Sequence, residues 1–261
     1  MGLKDNLARM FIIAARLFCI GDSNLGARLR SLHVRLALRG LPTCRVADAG
    51  CGRSGSLGWF GGIAPIAYPL SRYFQDSSVV GFDASEEVVS FNRSCASKAG
   101  ARNLTFSSLD LRDRYDGELF DVVVFSDIAR SRSLDSHLVS SAASLVAPGG
   151  LFVMVVPSSH QLVAGNDRDR GLDAGFTESE IDTLMRESGL ETGQLRAIIG
   201  PLPSYFVSAS RKISSFSFGL LVFAFPLMIG LSLVDLVWPP RRGDAFLVKA
   251  TRPKMRFHVR P

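Results

Sequence analysis

Apolar residues along this chain follow two rhythms. Leu3, Leu7, Met10, Phe11, Ala14, Leu17 and Phe18 recur at helical spacing, with Asp5, Arg9 and Arg16 on the other side. That pattern predicts a basic amphipathic helix. "GDSN" breaks it and caps a second helix. There Leu25, Leu29, Leu32 and Leu36 form one stripe, flanked by Arg28, Arg30, Arg35 and Arg39, and Gly40 and Pro42 end it.

From residue 45 the stripes give way to continuous apolar runs separated by helical segments. Arg45–Ala49, Val79–Phe82, Leu104–Ser107, Phe120–Asp127 and Leu151–Pro157 read as strands, and Leu195–Ile199 and Ala245–Thr251 follow. Glu86–Ala99 and Leu134–Val146 read as helices, with "APGG" turning the second into its strand. Thr177–Ser188 is a third helix: Thr177 caps it, Glu180 completes a capping box and Gly189 stops it. Buried strands alternating with helices mean an α/β fold, a parallel sheet covered on both faces. The pattern divides the chain into N-terminal amphipathic helices (1–42), an α/β core (43–200), an apolar helical insert (201–243), and a last strand with a basic tail (244–261).

Composition adds a membrane theme. The chain has 261 residues, 47% hydrophobic, and a mean hydropathy of +0.20. Residues 1–45 carry eight Lys/Arg against two acids and residues 239–261 seven against one, while the stretch between is net acidic. No Lys/Arg run or interleaved aromatic stripe appears, so nucleic acid is not an expected partner. Basic ends suit anionic lipid. Cys19, Cys44, Cys51 and Cys95 show no CxxC spacing and read as reduced thiols of a cytoplasmic protein. Arg16 interrupts the first apolar run and no cleavage site follows, which argues against a signal peptide; Gly2 is present but Asn6 spoils a myristoylation signal.

The chemistry concentrates in "VADAGCGRSG" (Val46–Gly55): a strand, then Gly50, Gly52 and Gly55, with Asp48 just ahead. Glycine loops of this kind hold nucleotides. An acid before the glycines is not what a pyrophosphate wants, but it suits a cofactor with a cationic amino-acid tail.

Here the chain resembles the class I S-adenosylmethionine (SAM)-dependent methyltransferases over residues 43–200, with 244–251 as the closing strand. "VADAGCGRSG" resembles the family's first motif, "VVGFDAS" its second, "SSLDL" its third, and "FDVVVFSD" and "LVAPGGLFVMVVP" its fourth and fifth. The resemblance implies a Rossmann-like sheet of seven strands, the last antiparallel, with SAM as cofactor. It implies a cofactor site formed by Asp48, Gly50, Cys51, Gly52, Gly55, Asp83, Ala84, Asp110, Leu111 and Ser126. Asp83 would take both ribose hydroxyls, since a carboxylate offers two acceptor oxygens to a vicinal diol. Asp110 and Leu111 would lie beside the adenine. One spacing departs from the family: Asp83 lies 35 residues after Asp48, where about twenty are usual. The extra segment, "SLGWFGGIAPIAYP" (Ser56–Pro69), reads either as a surface loop or as an apolar wall near the methyl donor, and it would delay or kink the first helix.

"FSFGLLVFAFPLMIGLSLVDLVW" (Phe216–Trp238) is long enough to span a membrane and holds one charge, Asp235. In the family topology a single crossing would strand "DAFLVKATRP" on the wrong side. The stretch must therefore go out and come back, with Pro226 and Gly230 at the bend, as two short apolar helices over roughly 203–238. They would overhang the ligand rim at the carboxyl edge of the sheet. They read either as a self-filled cap or as a membrane-docking face. The first helix and Arg241 and Arg242 would then lie at headgroup level.

Methyl transfer needs alignment and, for some acceptors, a proton acceptor. Asp127, His137 and His160 are the candidates. His160, in "VPSSHQ" just past the fifth strand, is best placed as base or substrate ligand, with Asp127 second. The structural readings are a cap or an amino-group contact for Asp127 and a helix surface for His137. No metal-ligand spacing appears.

The expected function is a SAM-dependent methyltransferase acting on an apolar or lipid-linked acceptor: a glycolipid, a glycan intermediate or an isoprenoid. It is expected to be cytoplasmic, peripheral on the inner face of the membrane, with contact through residues 1–20 and 203–242. The alternative is a non-catalytic methyltransferase-fold scaffold. A nicotinamide dehydrogenase is disfavoured by Asp48 and by the closing strand.

Overall fold

The computed structural model describes residues 25–53, 63–126, 136–159, 175–216, 224, 227–228 and 230–254. The amphipathic helix expected over the first twenty residues lies outside them, as do the GDSN cap, Gly55, Asp127 and His160. Seven strands run β1 (Arg45–Ala49), β2 (Ser78–Asp83), β3 (Leu104–Ser108), β4 (Phe120–Ser126), β5 (Val146–Pro157), β6 (Glu191–Ile198) and β7 (Ala245–Thr251). They form one sheet in the order β3-β2-β1-β4-β5-β7-β6. β7 alone is antiparallel, pairing with both β5 and β6.

Helices α1 (Leu25–Ala37), α2 (Ala67–Tyr73), α3 (Glu86–Lys98) and α6 (Pro201–Phe216) cover one face. Their Leu29, Leu70, Val89 and Val207 pack with Val46, Val79, Val124, Val153 and Leu247. Helices α4 (Ser136–Ser144) and α5 (Glu178–Glu187) cover the other. There Val139, Ala142, Ile181 and Met185 meet Ala47, Val123, Phe125, Met154 and Val248. Neighbouring positions of the central strands thus serve opposite cores, which is why both parities must be apolar there.

Four local readings are corrected. The "APGG" stretch does not end at a turn: β5 absorbs it. Phe120 pairs with Val146 and Val122 with Leu151, so the surplus residues bulge out of the ladder, with Gly149 at φ 83°. β6 begins at Glu191, earlier than its apolar run, because an edge strand needs burial on few of its positions. Ile199 is not in it. Its φ of 59°, costly for a β-branched residue, turns the chain from β6 into α6. On α1, Leu36 is exposed while His33 and Ser31 are buried, because the helix is enclosed by α2, α6 and β7 rather than lying on one surface. The capping box reads as expected: Thr177 Oγ1 accepts from the Glu180 N–H, and the Glu180 carboxylate accepts from the Thr177 N–H at 2.7 Å.

Candidate functional site: the carboxyl edge of the sheet

Strand order reverses between β1 and β4, and a ligand crevice opens outside the carboxyl ends of strands at such a point. The loops after β1, β2, β3 and β4 all issue from this edge. They bring together the glycine loop, Asp83, Asp110, Leu111 and Ser126.

The glycine loop is built around two left-handed residues, Gly50 (φ 78°) and Gly52 (φ 57°). Between them the Cys51 N–H donates to the Phe82 carbonyl at 2.7 Å, locking the loop onto the end of β2. A Cβ on Gly52 would meet nothing within 4 Å, so its outer side faces open space, as a ligand-facing peptide requires. Gly81, under the loop, has no room for a side chain: its Cβ would lie 2.5 Å from the Phe106 ring and 3.1 Å from Cys51 Sγ. Burial, with the carboxylates of Asp48 and Asp83 nearby, pushes the Cys51 thiol far above its usual range. Cys51 is therefore a packing group and not a nucleophile.

Asp83 closes β2. Its Oδ2 accepts from the Gly52 N–H at 3.0 Å and its Oδ1 from the Ser85 N–H at 2.9 Å. Each oxygen keeps an acceptor site, and the carboxylate is only half-buried. A fixed, two-oxygen acceptor beside a glycine loop fits a ribose diol. Asp110 is fixed by the Arg112 N–H at 2.9 Å, and Leu111 is buried next to it. Ala84 is exposed on the turn after Asp83. The Ser126 hydroxyl, at the end of β4, is buried and has no hydrogen-bond partner among the described residues. A hydroxyl so placed is available to a ligand.

Asp48 has a backbone partner within the fold. It is 1% exposed and accepts from the Ala67 N–H at 2.9 Å, the first residue of α2. Among the described residues the helix that follows the loop starts at Ala67, and Asp48 receives its first N–H. Arg53 turns to α3, with its guanidinium 3.3 Å from Glu87 and over the Phe91 ring at 5.7 Å. His137 lies exposed in the first turn of α4, near Ser141 Oγ at 3.4 Å. Sequence reading missed Asn92, a fully buried side chain of α3 whose amide reaches the Gly52 carbonyl at 2.8 Å. Among the described residues no His/Cys/Asp/Glu cluster could hold a metal.

A family model described as "Methyltransferase domain" matches residues 42–189, more than half of the chain. The chain belongs to this family. It is a SAM-dependent methyltransferase, with SAM as its cofactor. No curated protein matches it in sequence. Solved structures share the fold. One is magnesium protoporphyrin IX methyltransferase from Synechocystis PCC 6803 with bound SAH (18% identity, TM-score 0.54, covering 87% of this chain and 84% of that one). Another is the N-methyltransferase NodS from Bradyrhizobium japonicum WM9 with S-adenosyl-L-homocysteine (14%, TM-score 0.51, 86% of each). A third is the cyclase SpnF (16%, TM-score 0.57, covering 86% of this chain and 82% of that one).

Proposed function

We propose that this enzyme methylates an apolar or lipid-linked acceptor, a glycolipid, glycan intermediate or isoprenoid, while peripherally bound to the inner face of a membrane. The observation that carries this reading is the insert between β6 and β7. It leaves and re-enters the sheet at the cofactor edge, and it presents Leu202, Tyr205, Leu227, Leu231 and Trp238 to solvent, Trp238 at 75% exposure. Arg241 and Arg242 lie exposed beside them. The one acid of the apolar stretch, Asp235, is withdrawn into the interior. Leucine, tyrosine and tryptophan with cations, and no exposed acid from that stretch, match an anionic bilayer surface. Among the described residues no helix is long and apolar enough to cross a membrane.

When bound, SAM supplies an electrophilic methyl group whose sulfonium departs as a neutral thioether. The chain's part is to bind and align. Asp83 holds the ribose diol, Gly50, Cys51 and Gly52 form the backbone cradle, and Asp48 supports it from beneath. Ala84, Asp110 and Leu111 line the adenine side, and Ser126 Oγ meets the polar tail. Asp127 follows Ser126 in sequence and His160 follows Ser159; we assign them the proton leaving the acceptor, His160 first. Both lie outside the described residues.

The test is transfer of labelled methyl from SAM into a bacterial membrane lipid extract. Label in the organic phase, lost in His160→Ala with SAM binding retained, supports the reading. Label that enters only water-soluble acceptors overturns it.

A further inference from the structure

The glycine loop carries Gly52 in a left-handed conformation. Among the described residues, the helix after the loop is α2, which begins at Ala67, and the N–H of Ala67 donates to Asp48. The Gly52 peptide is held by side chains from the end of β2 and from α3.

We infer that Asn92 is a positioning residue for the cofactor, holding the Gly52 peptide in its ligand-facing orientation. Asn92 stands on α3 and is fully buried, where an amide must find partners on both ends. Its Nδ2 donates to the Gly52 carbonyl at 2.8 Å, and its Oδ1 accepts from the Ala64 N–H at 3.0 Å. One side chain thus ties the outgoing limb of the extra segment to its returning limb. Gly52 is gripped from two directions: its N–H by Asp83, its carbonyl by Asn92. The same Asp83 carboxylate is the ribose acceptor, so Asn92 fixes the second anchor of a loop whose first anchor is part of the cofactor site. An apolar residue at 92 would fill the space but leave the Gly52 carbonyl and the Ala64 N–H unpaired.

The geometry gives a test that a core-filling role would not pass. In Asn92→Asp the carboxylate still accepts from Ala64 but repels the Gly52 carbonyl. Once protonated it donates to that carbonyl again and restores both bonds. Burial raises a carboxyl's pKa, so protonation falls within a workable range. Among the described residues, the other titratable groups facing this position are the Cys51 thiol, 3.8 Å from the amide and held protonated by burial, and the Asp83 carboxylate beyond Gly52. The Asp48 carboxylate serves the same returning limb through Ala67. Wild-type protein measured over the same range accounts for all three.

SAM is titrated calorimetrically into wild type, Asn92→Asp and Asn92→Leu from about pH 8.5 to about pH 6, well below each variant's melting temperature. Circular dichroism establishes that each is folded. Both variants are expected to bind roughly tenfold or more weakly than wild type at the alkaline end, the usual consequence of an unmade buried hydrogen bond. Toward the acid end, relative to wild type, Asn92→Asp recovers most of its affinity and Asn92→Leu does not. Three results would overturn the inference: wild-type affinity in Asn92→Leu, equal affinities of the two variants at every pH, or recovery of melting temperature in Asn92→Asp without recovery of affinity. Wild-type binding in the same series separates failure of this inference from failure of the cofactor site itself.

Discussion

The carboxylate of Asp235 accepts a 2.6 Å hydrogen bond from the backbone N–H of Gly200, 35 residues earlier. Gly200 immediately precedes α6, so Asp235 serves the first turn of a helix from the far end of the insert. The contact fixes where the insert returns. It also explains why the one charge in a 23-residue apolar stretch is buried. A side chain at 200 would not fit, because its Cβ would lie 2.9 Å from Asp235 Oδ1 and 2.8 Å from Pro240 Cβ.

Removing this latch should loosen the insert and leave the sheet intact. Asp235→Ala leaves the Gly200 N–H unpaired and is expected to cost about 1–3 kcal/mol. Burial raises the Asp235 carboxyl, partly offset by the Gly200 bond. A folded-state pKa above the unfolded value means that this group's contribution is fullest below the unfolded value and declines as pH rises through the folded one. Asp235→Asn keeps an acceptor without the charge. Near pH 7 it should therefore equal or exceed wild type in thermal stability, and that advantage should vanish on acidification. Melting curves of the three proteins against pH check this.

His33 pulls the other way. It is buried in α1, and burial, with the Arg196 guanidinium second, lowers its pKa to about 4. The unfolded chain takes up this proton near 6.5 and the folded one does not. Stability is therefore full above that value and falls as pH drops toward about 4, by on the order of 2–3 kcal/mol from this group alone. His33→Leu should remove that part of the acid sensitivity, seen as a flatter plot of urea midpoint against pH from about 7 to about 4.5.

Cys51 should be silent toward thiol reagents. Its raised pKa leaves almost no thiolate at pH 8. Alkylation of the folded protein, mapped by mass spectrometry, should leave Cys51 unmodified while denaturant exposes it to full labelling. Rapid native labelling at Cys51 would contradict the packing described for the glycine loop.

Membrane docking through the insert predicts co-sedimentation with vesicles containing about 30% anionic lipid, weakening as salt rises because headgroup attraction is screened. Leu227→Ser with Trp238→Ser should abolish sedimentation and leave SAM affinity unchanged. Arg241→Gln with Arg242→Gln should weaken it by about 1 kcal/mol per charge. Equal binding of wild type and the Leu227/Trp238 double variant would sink the docking face.

The sheet was legible because its central strands must satisfy two apolar cores at once. β1 and β7 coincide with their apolar runs, and the switch point follows from the order of motifs. The supports of the site were not legible. Asn92 is a polar residue in a polar helix until the fold buries it against residues 28 and 40 positions away. The bond from Ala67 to Asp48 was not legible either, because Ala67 starts a short helix that contains Pro69 and follows a glycine-rich segment. The Gly200–Asp235 bond is equally non-local. Periodicity reports burial and handedness along a segment; it carries no information about which distant backbone group a buried side chain will find.

The proposed SAM site is the edge formed by Gly50, Gly52 and Asp83, and its decisive test is calorimetric titration of SAM into the full chain beside Asp83→Ala. The wild type should show stoichiometric binding. Asp83→Ala should weaken it at least tenfold, the loss expected when a charged acceptor for two hydroxyls is removed. No binding by the wild type, or equal affinity in Asp83→Ala, would contradict this site.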